Sequence, residues 1–226
     1  MKRIAQGALT AAGLVATTAT LVMAQDAFRI YYANDPVGRN VVMIESRAPI
    51  ETILTRTNQV TGEIHLNPAN VLENPQARFE LDTASLDNGI PLRNEHMRSA
   101  MWLDTAKYPK ATFTLTRPIQ IGRSGPLPSL ANITGKPLEF NVEGTLELHG
   151  VTHPVQAKIE VMPIAGGPDT ARRLPGDLLH VRATFPIKLD DYGIKVPDMA
   201  KLEVSNEQQV TADIFTSTEL PKPPQP

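Results

Sequence analysis

The amino-acid sequence predicts an all-β fold whose strands cover one another, as a sandwich or as a closed barrel. Three observations carry that expectation: a succession of runs in which apolar and polar residues alternate, turn-forming pairs between the runs, and only one stretch with helical spacing. Alternation with period two marks a strand with one wet face and one buried face. With almost no helix to cover them, such faces must be buried against each other. An eight-stranded barrel leaves an interior that is either filled by side chains or just wide enough for one small ligand. Periodicity alone does not choose between these solutions.

The chain opens with a different kind of segment. Lys2 and Arg3 precede an apolar stretch from Ala8 to Met23 that ends in Val22-Met23-Ala24, and no acidic residue occurs before Asp26. A basic start, an apolar middle and small residues before a polar junction form a secretory signal peptide, so residues 1–24 are expected to be cleaved off after Ala24. The stretch is shorter than the roughly 20 residues that span a bilayer, which argues against a retained anchor. There is no cysteine, which excludes both a lipidated-cysteine anchor and a disulfide framework. Without the leader, 22 basic residues become 20 against 24 acidic ones, a formal charge of about −4 on 202 residues. Nucleic acid and anionic membrane surfaces both require a basic patch, and no run of like charge supplies one. The expectation is a periplasmic protein without stable membrane insertion, folded as one domain over residues 25–217. That length can bury a core unaided.

The strands follow in order. Val41 to Ile44, and Val60, Gly62, Ile64 and Leu66, give an early pair. Ala77, Phe79 and Leu81 alternate with Arg78, Glu80 and Asp82, and Phe113 and Leu115 alternate with threonines. Leu138, Phe140 and Val142 share a face that Leu146 and Leu148 continue beyond Gly144. Val155, Ala157, Ile159 and Val161 form the next face. Leu179, Val181, Ala183, Phe185, Ile187 and Leu189 form the longest, and Val210, Ala212 and Ile214 close the series. Asn67-Pro68, Asn74-Pro75, His149-Gly150, Gly166-Gly167-Pro168 and Pro175-Gly176 punctuate the runs, as turn residues do. Ser124 to Pro137, with three prolines and two glycines, reads as a long surface loop, and residues 218–226 as a proline-rich extended or disordered tail. The helical stretch is Pro91 to Leu103, where Leu92, His96 and Met97 fall about one turn apart.

Three blocks of sequence decide between sandwich and barrel. Leu81 to Thr116 contains Ser85-Leu86-Asp87, Gly89, Arg93-Asn94, His96-Met97-Arg98-Ser99, Trp102-Leu103-Asp104, Lys107-Tyr108-Pro109 and Phe113. Val142 to Val155 reads VEGTLELHGVTHPV, and Phe185 to Ile194 reads FPIKLDDYGI. In this order the blocks resemble the signature of the YceI-like family of periplasmic proteins. The resemblance implies a closed antiparallel eight-stranded lipocalin-like barrel with one short helical segment. It further implies that the interior holds a polyisoprenoid or quinone-like lipid. The chain departs from the family pattern in its early strands, Arg47 to Ile64, where only Gly62 and the alternation around it survive. It departs again at Leu189, where the family has an arginine.

On that reading the apolar ligand-binding set is Phe79, Leu81, Phe113, Leu115, Phe140, Val142, Leu146, Val181, Ala183, Phe185, Val210 and Ile214. Ala77, Ala157, Ala183, Ala212 and Gly144 thin the inward faces, which speaks for a tunnel over a filled core. Arg93, His96 and Arg98 either gather at the mouth around a lipid phosphate or hold the helical segment to Asp87, Asp104 or nearby carbonyls. The second, structural reading is favoured, because buried arginines are usually paired. Trp102 and Tyr108 are expected to pin that segment, and Gly144 and Gly150 to mark a bulge and a turn. His149 and His153 straddle a turn, but a zinc site needs at least three protein ligands, and no metal is expected. No nucleophile motif or phosphate loop is present, and Asp190-Asp191 reads as a turn opening. The chain is therefore expected to be no enzyme and to need no cofactor beyond its bound lipid. The alternative is a filled-core barrel serving as a stress-response or protein-interaction module. A homodimer and a membrane redox partner are the other associations this reading admits.

Overall fold

In the computed structural model ten strands form one antiparallel sheet, described over residues 28–119 and 128–220. The expected leader, the start of the Ser124–Pro137 loop and residues 221–226 of the tail lie outside the described residues. The strands are β1 (Arg29–Ala33), β2 (Val41–Arg47), β3 (Thr52–Thr57), β4 (Val60–Leu66), β5 (Gln76–Asp82), β6 (Lys110–Ile119), β7 (Leu138–Leu148), β8 (Val151–Ile164), β9 (Leu178–Lys188) and β10 (Glu207–Ser217). From β4 to β10 each runs beside the next in sequence, and β1 pairs with both β4 and β10, which closes the ring. Eight strands make this ring, and β2 and β3 extend it. β1 and β2 lie end to end along one edge of β10: Tyr32 meets Ser217, and Val41 to Ser46 meet Asp213 to Gln208. Their partners β4 and β3 are end to end as well. Closure pairs strands that would otherwise be open edges of the sheet. The outer edge of β3 is met by Asp87, whose backbone exchanges hydrogen bonds with that of Arg56 in both directions at 2.9 Å.

The alternating faces point inward as the sequence predicts for β5 to β10. In β8, Val155, Ala157, Ile159 and Val161 are buried while Gln156 and Lys158 face water. Two strands escape the alternation rule. β1 carries Tyr31 inward and Tyr32 outward, so its faces look alike in sequence. β3 reverses the usual chemistry, with Thr55 and Thr57 buried and Leu54 exposed. Gly144 is not itself the bulge. The extra residue is Thr116 on β6, between the Leu115–Gly144 and Arg117–Glu143 pairs. What Gly144 provides is room, since a Cβ there would lie 2.6 Å from the Phe113 ring. Gly150 is a turn residue, with φ +74°.

The two ends of the barrel differ. At one end, the described part of the expected loop, residues 128–137, is more than a surface loop: Leu130 is buried, and its N–H donates to the Pro68 carbonyl at 2.8 Å. Leu130 and Val71 join the apolar core here, and Val71 alone of the two reaches the cavity. The turn at Gly166-Gly167-Pro168 opens a short second helix, α2 (Pro168–Ala171), that the sequence pattern does not show. At the other end, α1 (Pro91–Arg98) and a connection of two 3₁₀ turns, Leu189–Tyr192 and Asp198–Ala200, cross the barrel. α1 is shorter than the expected Pro91–Leu103. It starts at Pro91, which suits the first helical position, and stops at Arg98, after which the N–H groups of Leu103, Asp104 and Thr105 fold back onto the carbonyls of Met97, Ser99 and Arg98.

Tyr192, on the first of these 3₁₀ turns, is 1% exposed, and among the described residues its hydroxyl has no hydrogen-bond partner. Burial pushes its phenol up to about 12. The unfolded chain ionises this group near its ordinary value of about 10, so its neutral-state preference is intact below that pH and is lost as pH rises toward 12. Tyr192→Phe is expected to be neutral or stabilising by about 1 kcal/mol, since it removes an unpaired buried hydroxyl. It should also abolish a late ionisation in an ultraviolet titration. A destabilised variant would show that the hydroxyl is paired after all.

Candidate ligand-binding cavity

The barrel is not filled. An apolar cavity of about 570 Å³ runs along its axis, within the usual range for small-molecule sites. Every residue of the sequence-predicted apolar set, from Phe79 to Ile214, lines it. Of the small residues expected to thin the faces, Ala77, Ala183 and Ala212 line it too, whereas Ala157 packs into the wall at 1% exposed. Phe79, Leu81, Phe113, Phe140 and Ala183 face inward yet are only partly buried. What they face is the cavity.

Aromatic side chains lie flat against the wall because glycines make room for them. Phe79 sits opposite Gly62, and Phe113 lies on Gly144; a Cβ on either glycine would come within 2.6 Å of the ring. Phe113 and Phe185 stack across the barrel with centroids 6.1 Å apart.

The mouth lies at the α1 end. Ile90, Leu92 and Met97 of the helical segment, Glu51 before β3, and Ala200, Glu203 and Val204 of the β9–β10 connection form its rim. Two cross-links hold these pieces together. Ile50 donates its backbone N–H to the Leu202 carbonyl at 3.1 Å, and Arg93 is paired with Glu51 at 2.7 Å. The turn leading into α1 is locked by side chains: Asp87 accepts from the Gly89 N–H, Asn88 from the Ile90 N–H, and buried Asn94 bridges the Asn88 N–H and the Asp87 carboxylate. Those bonds, from Gly89 first and then Asn94, hold the Asp87 carboxyl below its ordinary range.

The structure does not bring Arg93, His96 and Arg98 together as one anion clamp. Arg93 and His96 line the cavity, whereas Arg98 turns away and donates to the Leu86 carbonyl at 3.0 Å. Arg93 finds Glu51, a partner the sequence did not suggest. Arg98→Ala is expected to cost about 2 kcal/mol in denaturant melts, because it leaves a buried carbonyl unpaired. Arg93→Ala should cost less than about 1 kcal/mol, as for other partly solvated pairs. Equal losses would reverse these assignments. Trp102 lines the cavity, and Tyr108 packs edge-on against His149 at 4.5 Å. His149 and His153 spend their Nδ1 atoms on the Tyr192 and Pro154 carbonyls. Among the described residues, no three His, Cys, Asp or Glu side chains converge as metal ligands, and no helix is long and apolar enough to cross a membrane.

Sequence patterns missed part of the lining. Ile53 and Thr55 come from β3, and Ala200, Glu203 and Val204 from a connection with no period at all. Only chain closure places them.

A family model for the YceI-like domain matches residues 32–215, from β1 to β10. The chain belongs to the YceI-like family. A UPF0312 protein of Vibrio cholerae is 31% identical over 141 residues, covering 62% of this chain and 64% of that one. Protein YceI of Escherichia coli O157:H7 is 32% identical over 126 residues, 54% of this chain and 56% of its own. The matched stretches thus span less than two thirds of these YceI-like relatives. Among solved structures, Burkholderia cenocepacia BcnA superimposes with a TM-score of 0.61 at 18% identity, covering 80% of this chain and 99% of that one. A polyisoprenoid binding domain from Saccharophagus degradans gives 0.55 at 21% identity, covering 84% and 99%. These likenesses establish the fold, an eight-stranded YceI-like barrel with two strands added.

Proposed function

We propose that this protein holds a long apolar lipid, an isoprenoid, inside its barrel and works by binding rather than by catalysis. The observation that carries the reading is the cavity itself, lined almost wholly by apolar side chains and open at the α1 end. A filled-core interaction module would leave no such space. A prenyl chain offers several hundred Å² of apolar surface, worth on the order of 10 kcal/mol at roughly 25 cal/mol per Å² before ordering costs. The polyisoprenoid binding domain among the structural neighbours supports an isoprenoid over other apolar chains. An empty apolar cavity forfeits contacts on every wall, so the protein is expected to co-purify with its ligand. Organic extraction and mass spectrometry should find a prenyl lipid near one per chain. Clean extracts from well-folded protein would remove the proposal.

The same proposal places the protein in the periplasm, on the strength of residues 1–24. Mass determination on protein from its own host should show a chain beginning at Gln25. An intact Met1 in a membrane fraction would contradict export.

A further inference from the structure

We infer that the mouth selects a ligand with an uncharged polar end, a hydroxyl or a quinone-type carbonyl, over one carrying a phosphate. This rests on the isoprenoid reading of the interior and concerns only the opposite end of that ligand. Among the described residues, Arg93 is the one arginine or lysine lining the cavity, and Glu51 already holds it at 2.7 Å. Glu203 stands on the same rim. Arg98, the second cation a phosphate clamp would need, is turned onto the Leu86 carbonyl. Lys201 beside the rim is paired with Asp198 at 2.6 Å. Glu80, which also touches the cavity, has its own cations outside the wall, Lys110 and Arg78.

A phosphate entering this rim meets two carboxylates and one guanidinium that is already paired. It must shed water, compete with Glu51 for Arg93 and stand near Glu203, and both unpaired burial and like-charge contact are costly. An uncharged end meets no such opposition. Ser46, Thr55, Asn88, His96 and Gln208 line the cavity, and their hydroxyl, amide and imidazole groups can donate to or accept from a hydroxyl or carbonyl.

The test displaces a fluorescent apolar probe from the full-length protein with geranylgeraniol and with geranylgeranyl monophosphate, which share one chain. The alcohol is expected to act at about tenfold lower concentration or better, the scale of a modest charge penalty. Glu51→Gln frees Arg93 and removes a carboxylate, and should narrow that ratio to about threefold or less. Glu203→Gln removes the second rim carboxylate and leaves the Arg93–Glu51 pair intact; it should narrow the ratio in part and serves if the first variant folds poorly. Equal or tighter binding of the phosphate by the wild type overturns the inference and leaves the isoprenoid reading standing. An unchanged ratio in both variants overturns it as well. Displacement by neither compound removes the isoprenoid reading, and this inference with it.

Discussion

Ala183→Trp protein is expected to fold and to purify without lipid. Ala183 sits near the middle of β9, faces the cavity, and has Ala212 and Ile159 as its cross-strand neighbours. The Ala183–Ala212 pair is a place where two adjacent strands both present a methyl group. At the next inward position of β9, the Phe113–Phe185 stack already narrows the lumen. An indole at position 183 enters the space that separates these features and fills it. If the barrel were packed solid, the same change would cost about 1–3 kcal/mol through overpacking. In an open barrel the ring replaces ligand, so stability should stay within about 1 kcal/mol of the ligand-free wild type. Lipid recovered by extraction should fall from near one per chain to less than about a tenth. Strong destabilisation with unchanged extracts would mean that the interior does not carry ligand.

Gly62→Ala is expected to destabilise the barrel strongly. The new Cβ would press against the Arg78 carbonyl and come within 2.8 Å of the Phe79 Cα, so the backbone of β5 itself must move. Rotating a side chain away does not relieve that contact. The cost should be about 3 kcal/mol, at the upper end for overpacking, and the melting temperature should fall by roughly 10 °C for a domain of this size. Gly144→Ala repeats the experiment on the other side of the barrel, against the Phe113 ring and the Thr114 carbonyl at 2.8 Å. Gly167 serves as the control: a Cβ there meets nothing within 4 Å, and Gly167→Ala should cost under about 1 kcal/mol. Similar losses at Gly62 and Gly167 would show that close strand approach is not what the interior glycines provide.

Most of the wall is legible in the sequence. Phe79, Phe113, Phe140, Val181 and Phe185 can be placed on inward faces because a strand's side chains alternate whatever its neighbours are. The same rule fails where inward positions are polar, at Thr55 and Thr57, and where both faces are aromatic, at Tyr31 and Tyr32. Family resemblance then supplies the closure that periodicity leaves open. It does not supply the pairing of Arg93. Spacing along α1 suggests a cluster of Arg93, His96 and Arg98, but their directions depend on what stands opposite, and Glu51 lies 42 residues away in sequence.

Sequence by itself determined that the strands are one-sided, where most of them begin and end, and which faces meet the interior. These are properties of single strands, set by local alternation and by turn residues. Only the tertiary structure decided that the interior stays open, that Gly62 and Gly144 let aromatic rings lie flat against the wall, and that the rim carries more paired or acidic groups than free cations. Each of those depends on distances between chain segments far apart in sequence, fixed when the ring closes through β1 and β10.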